Sequence, residues 1–368
     1  MVTAPRPLHI VHTEASMGWG GQEIRILTES KGLMERGHRV SVLCAEGSLL
    51  QQQAADYGVV VTPLPIGRKG WRGLRAISRW LREHEPDVIV THSSTDSWLT
   101  ALAARLRSRP IPVIRLRHIS APVTKNLPTK WLYGTLSQHV ITTGELICDM
   151  LVEYNGLPRE HVTAIPTGID LEQFQPGEQR QARAAVGLPE DLFIIGIVAT
   201  LRSWKGHLYL FDAFSKMATP NMRLLVVGDG PEGPDYRKHV HQLGIQEQVL
   251  MVGQQRDVVP WLRAMDLFCL PSYANEGVPQ ALMQAMACGL PCVTTTAGSM
   301  GEIVYHGRNG LLVPPKRSDL LAQVLLNLAE DPVQRDLLAT QAAQDAKRQF
   351  GLSHMLARME QQFYAVLP

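Results

Sequence analysis

The alternation of short apolar runs with amphipathic stretches constrains the fold of this chain more than any other feature. In the first half, stretches with the helical spacing of apolar residues, such as 22–36 and 73–84, separate apolar runs that have the length of strands. Strands that alternate with helices at this spacing predict βαβ units and a parallel sheet. The predicted strands of this half are Leu8–Thr13, Val40–Ala45, Val59–Pro63, Asp87–Thr91, Val113–Leu116 and His139–Thr143.

The same pattern begins again after a polar stretch at residues 175–190. Its predicted strands are Phe193–Val198, Arg223–Val227, Val249–Val252, Asp266–Leu270 and Pro291–Thr295. A length of 368 residues fits two domains better than one core. We therefore predict an α/β protein with two Rossmann-like, doubly wound domains, at residues 1–175 and 176–350. A C-terminal helix at 351–368 is expected to pack back toward the first domain.

Composition excludes several classes of protein. A net charge of +2 argues against a general nucleic-acid binder. The five cysteines are odd in number and widely spaced, which favours buried thiols of a reduced compartment over disulfides. No group of aspartates suggests a magnesium site, so we expect neither a metal nor a cofactor.

Targeting signals are not evident either. Residues 1–7 do not resemble a signal peptide, and no run of 18 or more apolar residues occurs. The expected location is the cytoplasm, or the periphery of the inner face of the plasma membrane.

Residues 271–310 point most directly to a function. A predicted strand ends at Leu270, a loop carries Glu276, and a helix is expected to start at about Pro279. The first turn of a helix binds anions such as phosphates, while a carboxylate just before it can accept hydrogen bonds from sugar hydroxyls. The segment resembles the retaining glycosyltransferases of family 4, whose GT-B architecture has two Rossmann-like domains facing each other across a cleft.

The family motif contains two glutamates separated by seven residues. Here the first is Glu276, followed by Gly277, Val278 and Pro279, and the second position holds Gln284. The resemblance implies that Glu276 contacts hydroxyls of the donor sugar and that the amides of Gly277 and Val278 face its diphosphate. It assigns the ribose to Gln284, whose amide is a weaker acceptor than a carboxylate.

Other segments of the second half also match the family. Lys205 stands at the position of a family lysine, whereas the usual arginine position holds Thr200 and Arg202 lies two residues further on. The resemblance implies that Lys205 neutralises the departing diphosphate. Arg202 is expected to bind the donor from its shifted position, and an ordinary surface arginine is the alternative. The resemblance also places Gly228 beside the nucleotide and Gly253 near the base.

The first half supplies the expected acceptor residues. A glycine-rich loop with Gly20 and Gly21 lacks the GxGxxG spacing of dinucleotide-binding folds, and in the family such a loop reaches the donor phosphate. His118 stands where the family places a histidine near the reacting sugar. The expected catalytic residues are therefore Glu276, His118 and Lys205. The residues expected to contact the acceptor are His92, Asp96, Arg117 and His118.

Basic residues are concentrated in the first half. Residues 97–144 contain seven lysines and arginines and no acidic residue, and residues 68–82 add six more among tryptophans and leucines. Such a surface suits anionic lipid, although a solvated helix face is the alternative.

These features predict a retaining, metal-independent glycosyltransferase. We expect it to move a sugar from a nucleotide-diphosphate donor, UDP or GDP, to a cell-envelope glycan or glycolipid such as lipopolysaccharide. A non-catalytic protein of the same fold that binds nucleotide sugars, or acts as a scaffold, is one alternative. A dinucleotide-dependent oxidoreductase is the other.

Overall fold

Two compact units make up the chain. The computed structural model describes residues 6–274 and 276–368. One unit comprises the chain up to Gly168 together with Leu352–Pro368, and the other comprises Ile169–Gly351. This division comes earlier than the expected boundary at residue 175, because Ile169 and Phe174 are already buried in the core of the second unit.

The first unit is built on a seven-stranded parallel sheet. Its strands are β1 (His9–Glu14), β2 (Arg39–Ala45), β3 (Val61–Leu64), β4 (Val88–Thr91), β5 (Val113–Arg117), β6 (His139–Thr142) and β7 (Val162–Ala164). Their order in the sheet is β3-β2-β1-β4-β5-β6-β7. The helices are α1 (Gly21–Glu35), α2 (Leu49–Gln53), α3 (Trp71–His84), α4 (Ser94–Arg105), α5 (Leu127–Trp131) and α6 (Glu145–Glu153).

The second unit repeats this plan with six parallel strands in the order β10-β9-β8-β11-β12-β13. The strands are β8 (Phe193–Val198), β9 (Met222–Val227), β10 (Val249–Gly253), β11 (Leu267–Leu270), β12 (Cys292–Thr295) and β13 (Leu311–Val313). The helices are α7 (Gln179–Val186), α8 (His207–Met217), α9 (Gly233–Gln242), α10 (Val259–Ala264), α11 (Gln280–Ala287), α12 (Ser318–Glu330) and α13 (Pro332–Gln349). Within the described ranges of both units, every helix is too short or too polar to traverse a lipid bilayer.

The strand order of both sheets reverses beside the first strand of each unit. The reversal lies between β1 and β4 in the first sheet and between β8 and β11 in the second. Two doubly wound parallel sheets confirm the predicted Rossmann-like fold of each half. Ligands of such sheets bind outside the carboxyl ends of the strands at this reversal, which directs attention to the loops that follow these four strands.

The last helix, α14 (Leu352–Ala365), belongs to the first unit. Its buried side chains, which include Leu356 and Phe363, pack with Leu33 of α1 and with residues of β1. Gly32 permits this packing, because a Cβ atom there would lie 2.5 Å from a methyl group of Leu356. The chain therefore returns to complete the core of the unit in which it began.

Candidate functional site

An ion pair lies at the strand reversal of the second unit. The Nζ atom of Lys205 is 2.7 Å from Oε1 of Glu276. Lys205 ends a short 3₁₀ turn after β8, and Glu276 lies in the loop after β11. Only 5% of Glu276 is exposed, so most of its carboxylate is shielded from water. Two residues that the sequence assigns to one ligand therefore lie in direct contact at the edge where such sheets bind ligands.

Two glycines allow the loops that carry this pair to approach each other. Gly206 has a φ of +81°, and a Cβ atom there would lie 2.0 Å from the carbonyl oxygen of Pro271. Gly298 has a φ of +58°, and its Cβ atom would lie 2.2 Å from the carbonyl oxygen of Glu276. Neither position accommodates a side chain, because each combines a left-handed backbone with a close backbone contact. The ion pair is thus held by backbone that only glycine fits.

Gly228 and Gly253, two glycines predicted to bind the donor, lie at the same edge of the sheet. The amide of Gly228 donates a hydrogen bond of 2.8 Å to the carbonyl of Gly253. Gly228 also has a positive φ of +140°, and a Cβ atom there would lie 2.0 Å from the carbonyl oxygen of Ala199. The structure therefore links the loop after β9 to the end of β10 and to the loop after β8.

Helix α11 begins four residues after Glu276. Pro279 occupies the N-cap and the helix begins at Gln280, one residue later than expected. Gly277 and Val278 are buried, and the Val278 side chain packs in the core, so only its backbone can face a ligand. Gln284 is half-buried in the second turn of the helix.

Arg202 is placed differently from Lys205. It is exposed, and its guanidinium group lies 5.8 Å from the ring centroid of Trp204 in the same loop. This contact keeps the arginine with the surface of its own loop. The structure does not bring it into the Lys205–Glu276 pair.

Three histidines form a row across three adjacent strands of the first unit: His12 lies within β1, and His92 and His118 directly follow β4 and β5. Nδ1 of His12 lies 3.0 Å from Nε2 of His92, and Nδ1 of His92 lies 3.0 Å from Nε2 of His118. The rings are stacked, with centroids 5.2 Å and 5.3 Å apart. His12 and His92 are buried, whereas His118 is partly exposed. Sequence reasoning found His92 and His118 but missed His12, which lies within β1 and reads as an ordinary strand residue.

A buried ion pair closes the inner end of this row. Nε of Arg25 lies 3.2 Å from Oε2 of Glu29, one turn along α1. The other carboxylate oxygen of Glu29 faces Nε2 of His12 at 3.9 Å. Arg25 also donates a hydrogen bond of 2.9 Å to the carbonyl of Ile165. The two charged residues behind His12, Arg25 and Glu29, are therefore fixed within the core.

Asp96 and His92 hold structure together instead of presenting free polar atoms. The carboxylate of Asp96 is fully buried and accepts hydrogen bonds from Thr13 Oγ1 at 2.8 Å and from the amides of His92 and Ser93. With Ser93 it forms the capping box of α4. Both ring nitrogens of His92 are engaged in the row. The arrangement gives these two residues positioning roles and leaves His118 as the histidine nearest to solvent.

Arg117 ends β5 next to His118, and the two N-terminal glycines lie at the start of α1. Arg117 donates hydrogen bonds to the hydroxyl of Tyr133, at 3.3 Å, and to the carbonyl of Ala121. These bonds hold the loop that follows His118. Gly20 is the N-cap of α1, and Gly21 is its exposed first residue.

A buried carboxylate lies where this glycine loop begins. Glu14, the last residue of β1, accepts a hydrogen bond of 2.7 Å from the amide of Ser16. Burial raises the pKa of Glu14 to about 8, with a further contribution from Asp96. The loop between β1 and α1 is thus anchored at its start by a carboxyl group that burial favours in its neutral form.

Two family models match the chain, one in each half. The model described as Glycosyltransferase Family 4 matches residues 19–173, and the model described as Glycosyl transferases group 1 matches residues 193–331. Among characterised proteins, the chain is 26% identical over 279 residues to the UDP-Gal:alpha-D-GlcNAc-diphosphoundecaprenol alpha-1,3-galactosyltransferase of Escherichia coli, covering 72% of each chain. It is 28% identical over 378 residues to D-inositol 3-phosphate glycosyltransferase 1 of Catenulispora acidiphila, covering 92% of this chain and 89% of the relative.

A solved structure extends the likeness to the whole fold. Anabaena HepE in complex with UDP-glucose superposes with a TM-score of 0.86, over 97% of this chain and 100% of HepE, at 23% identity. At that identity the superposition speaks for the fold alone.

Proposed function

We propose a reaction for this chain from the premise that it belongs to the family 4 glycosyltransferases of GT-B fold. It transfers a sugar from a UDP-sugar to a cell-envelope glycan or glycolipid, such as lipopolysaccharide. The transfer retains the configuration at the anomeric carbon and needs no metal. The observation that carries this proposal is the contact between Lys205 and Glu276 at the strand reversal of the second unit. A cation and a nearly buried carboxylate side by side suit a ligand that has both a diphosphate and hydroxyl groups.

Lys205 and Glu276 contact different parts of the donor. Lys205 supplies positive charge to the diphosphate, which carries more negative charge as the bond to the sugar breaks. Glu276 accepts hydrogen bonds from the sugar hydroxyls, because an ionised carboxylate only accepts. The short loops held by Gly206 and Gly298 fix both groups in advance, so little reorganisation accompanies the reaction.

UDP is the proposed nucleotide because one similar protein is named for a UDP-sugar and another was solved in complex with one. The Escherichia coli relative is named for UDP-Gal, and Anabaena HepE was solved with UDP-glucose. The acceptors of the named relatives differ, since one is a lipid-linked sugar diphosphate and the other an inositol phosphate. A feature of this chain's own surface favours the lipid-linked class.

That feature is an aromatic and basic patch on the first unit, formed by Lys69, Trp98, Leu127, Lys130 and Trp131. The rings of Trp98 and Trp131 have centroids 6.0 Å apart, and Nζ of Lys69 lies 5.8 Å from the centroid of Trp98. Leu127 is 82% exposed and Trp131 45% exposed. The two basic segments noted in the sequence therefore meet in one patch. Tryptophan and leucine among lysines favour the surface of an anionic bilayer, where a lipid-linked acceptor lies.

Sedimentation with vesicles tests the membrane part of the proposal. Vesicles of phosphatidylglycerol and phosphatidylcholine should pellet the protein at low salt and release it at high salt, because surface charges are screened. The double variant Leu127→Ser/Trp131→Ser should bind less, whereas Val333→Ser, which changes an apolar residue of the second unit that is 68% exposed, should not. Equal binding of all three proteins, or no binding of any, would contradict the patch.

A donor screen tests the catalytic part. UDP-, GDP- and ADP-sugars are compared by thermal shift, because a ligand that binds the folded state raises its apparent stability. The donor that stabilises most is then assayed for hydrolysis and transfer. Glu276→Gln should abolish turnover, whereas Glu330→Gln, an exposed carboxylate at the end of α12, should not. A wild-type protein that binds a nucleotide sugar without any turnover would instead be the non-catalytic binder of the same fold.

A further inference from the structure

The row of His12, His92 and His118 admits only two arrangements of its protons. A neutral imidazole carries one N–H, so one ring nitrogen donates and the other accepts. Each of the two 3.0 Å contacts needs one donor and one acceptor. The protons of all three rings must therefore point the same way along the row, either toward His118 or toward His12.

All three rings are neutral near pH 7. Burial, with a smaller contribution from the charge of Arg25, lowers the pKa of His12 to about 3. Burial also lowers the pKa of His92 and of His118 well below the usual value, with help from neighbouring arginines, of which Arg25 and Arg115 act on both. The premise of one N–H per ring therefore holds for the whole row.

The inner end of the row decides the direction. Nε2 of His12 faces Oε1 of Glu29 at 3.9 Å, and neither atom has a hydrogen-bond partner among the described residues. Burial raises the pKa of Glu29, but Arg25, 3.2 Å from the second carboxylate oxygen, opposes this rise. A neutral Glu29 would leave the buried charge of Arg25 without a partner, so the carboxylate stays ionised and can only accept. A bare Nε2 would place two lone pairs against each other in a buried site, whereas an N–H there points at a negative charge. His12 accordingly carries its proton on Nε2.

We infer that Glu29, His12 and His92 are positioning residues that fix the tautomer of His118, with its proton on Nε2 and its Nδ1 bare. The proton on His12 Nε2 leaves Nδ1 of His12 as the acceptor for the Nε2 proton of His92. Nδ1 of His92 in turn accepts the Nε2 proton of His118. Nδ1 of His118 has no hydrogen bond to any described residue, and His118 is the partly exposed member of the row.

This inference gives His118 a defined task, and that part of it rests on the proposed function. An unprotonated Nδ1 accepts a hydrogen bond from a substrate hydroxyl. It cannot bind a carbonyl or an ionised phosphate oxygen in this way, because these groups need a donor. His118 thus selects a hydroxyl group, which is the group that a glycosyl acceptor presents. The buried residues behind it act only through it and touch no substrate.

NMR of ¹⁵N-histidine-labelled protein tests the tautomer without any activity assay. Two-bond proton–nitrogen correlations distinguish a protonated ring nitrogen from a bare one, and the His118 signals are identified by their loss in His118→Gln. The wild-type protein should show His118 protonated at Nε2 and bare at Nδ1. A proton on Nδ1 would overturn the inference. This measurement needs no variant other than the one used for assignment.

Two variants of His12 test whether the tautomer of His12 determines the tautomer of His118 through the row. His12→Phe keeps a ring of similar size but removes the acceptor for His92, so a second tautomer of His118 should appear. His12→Asn places an amide oxygen close to the former Nδ1 position, and should restore the single tautomer. An unchanged His118 spectrum in a folded His12→Phe protein would overturn the transmission from Glu29.

The activity of the same variants is read separately. His12→Phe should lower kcat/KM in proportion to the share of the second tautomer, by up to about tenfold where that tautomer dominates, because it lacks the hydrogen bond to substrate. His12→Asn should recover most of this loss. The affinity for UDP, measured by calorimetry, should stay the same in both. A wild-type protein with the expected tautomer but no transfer of any sugar would remove the proposed function and leave the row intact. Normal kcat/KM in a His12→Phe protein with mixed tautomers would remove the task assigned to His118.

Discussion

Replacing Lys205 by methionine should destabilise the second unit and weaken donor binding together. The change keeps the length of the side chain but leaves the carboxylate of Glu276, 6% exposed at its side chain, without its partner. Removal of one member of a fully buried pair costs about 3–5 kcal/mol. The Lys205 side chain is 18% exposed, so water screens part of the effect, and we expect about 2–3 kcal/mol. For a unit of this size that corresponds to a melting temperature lower by about 4–12 °C.

The double variant Lys205→Met/Glu276→Gln separates this effect from a general disturbance of the loop. It removes both charges, so its melting temperature should lie well above that of Lys205→Met alone. The coupling between the two sites is obtained from the four melting temperatures of a double-mutant cycle. Additive effects of the two single changes would show that the 2.7 Å contact contributes nothing and would refute this reasoning.

The affinity for UDP is the second property to measure in the same single variants. The affinity of Lys205→Met for UDP should fall by about tenfold to a hundredfold, the range for a lost hydrogen bond to a charged group. Glu276→Gln should leave UDP affinity nearly unchanged, because UDP lacks the sugar that Glu276 contacts. Calorimetry with UDP measures both, and equal losses in the two variants would contradict the division of the donor between them.

Three smaller changes test other parts of the structure. His207 is fully buried, and burial lowers its pKa to about 3, so below pH 6.5 the unfolded state binds a proton more readily than the folded state does. The stability of the wild type therefore falls with pH, and His207→Phe should gain about 1.4 kcal/mol over it per pH unit between pH 6.5 and 4. Melting temperatures of the two proteins that change in parallel with pH would contradict this. Gly206→Ala should lower both the melting temperature and UDP affinity, whereas Gly244→Ala, also at positive φ but with nothing within 4 Å of its Cβ position, should show only the backbone strain of about 1 kcal/mol. Burial raises the pKa of Glu360, but Arg36 and His38 together outweigh it and hold that pKa below its ordinary value; Glu360→Gln should therefore cost about 1 kcal/mol at neutral pH, and its melting temperature should converge with that of the wild type as the pH falls below about 4.

The sequence anticipates the part of the site that follows directly from strand ends. Lys205, Gly228 and Glu276 each come shortly after a predicted strand, and parallel strands bring their carboxyl ends to one edge of a sheet. The apolar runs were long enough to predict most strands. The strands Val162–Ala164 and Leu311–Val313 were missed, because three residues are too few to show a period.

The remaining features depend on register and packing, which one sequence does not display. His12 points to the row only because β1 pairs with β4 in a register that sets His12 opposite Val90, two residues before His92. Gly206 and Gly298 read as ordinary turn glycines until the carbonyl groups beside them are located. The sequence assigns Arg202 to the donor from a shifted position, whereas in the structure its guanidinium group contacts Trp204 of its own loop.

A crystal structure with the UDP-sugar that most raises the melting temperature tests the donor site most directly. The diphosphate should lie within hydrogen-bond distance of Lys205 Nζ, and the carboxylate of Glu276 should face a hydroxyl of the sugar. A nucleotide bound away from the edge formed by the loops after β8 and β11, or a sugar that leaves Glu276 paired only with Lys205, would contradict the account.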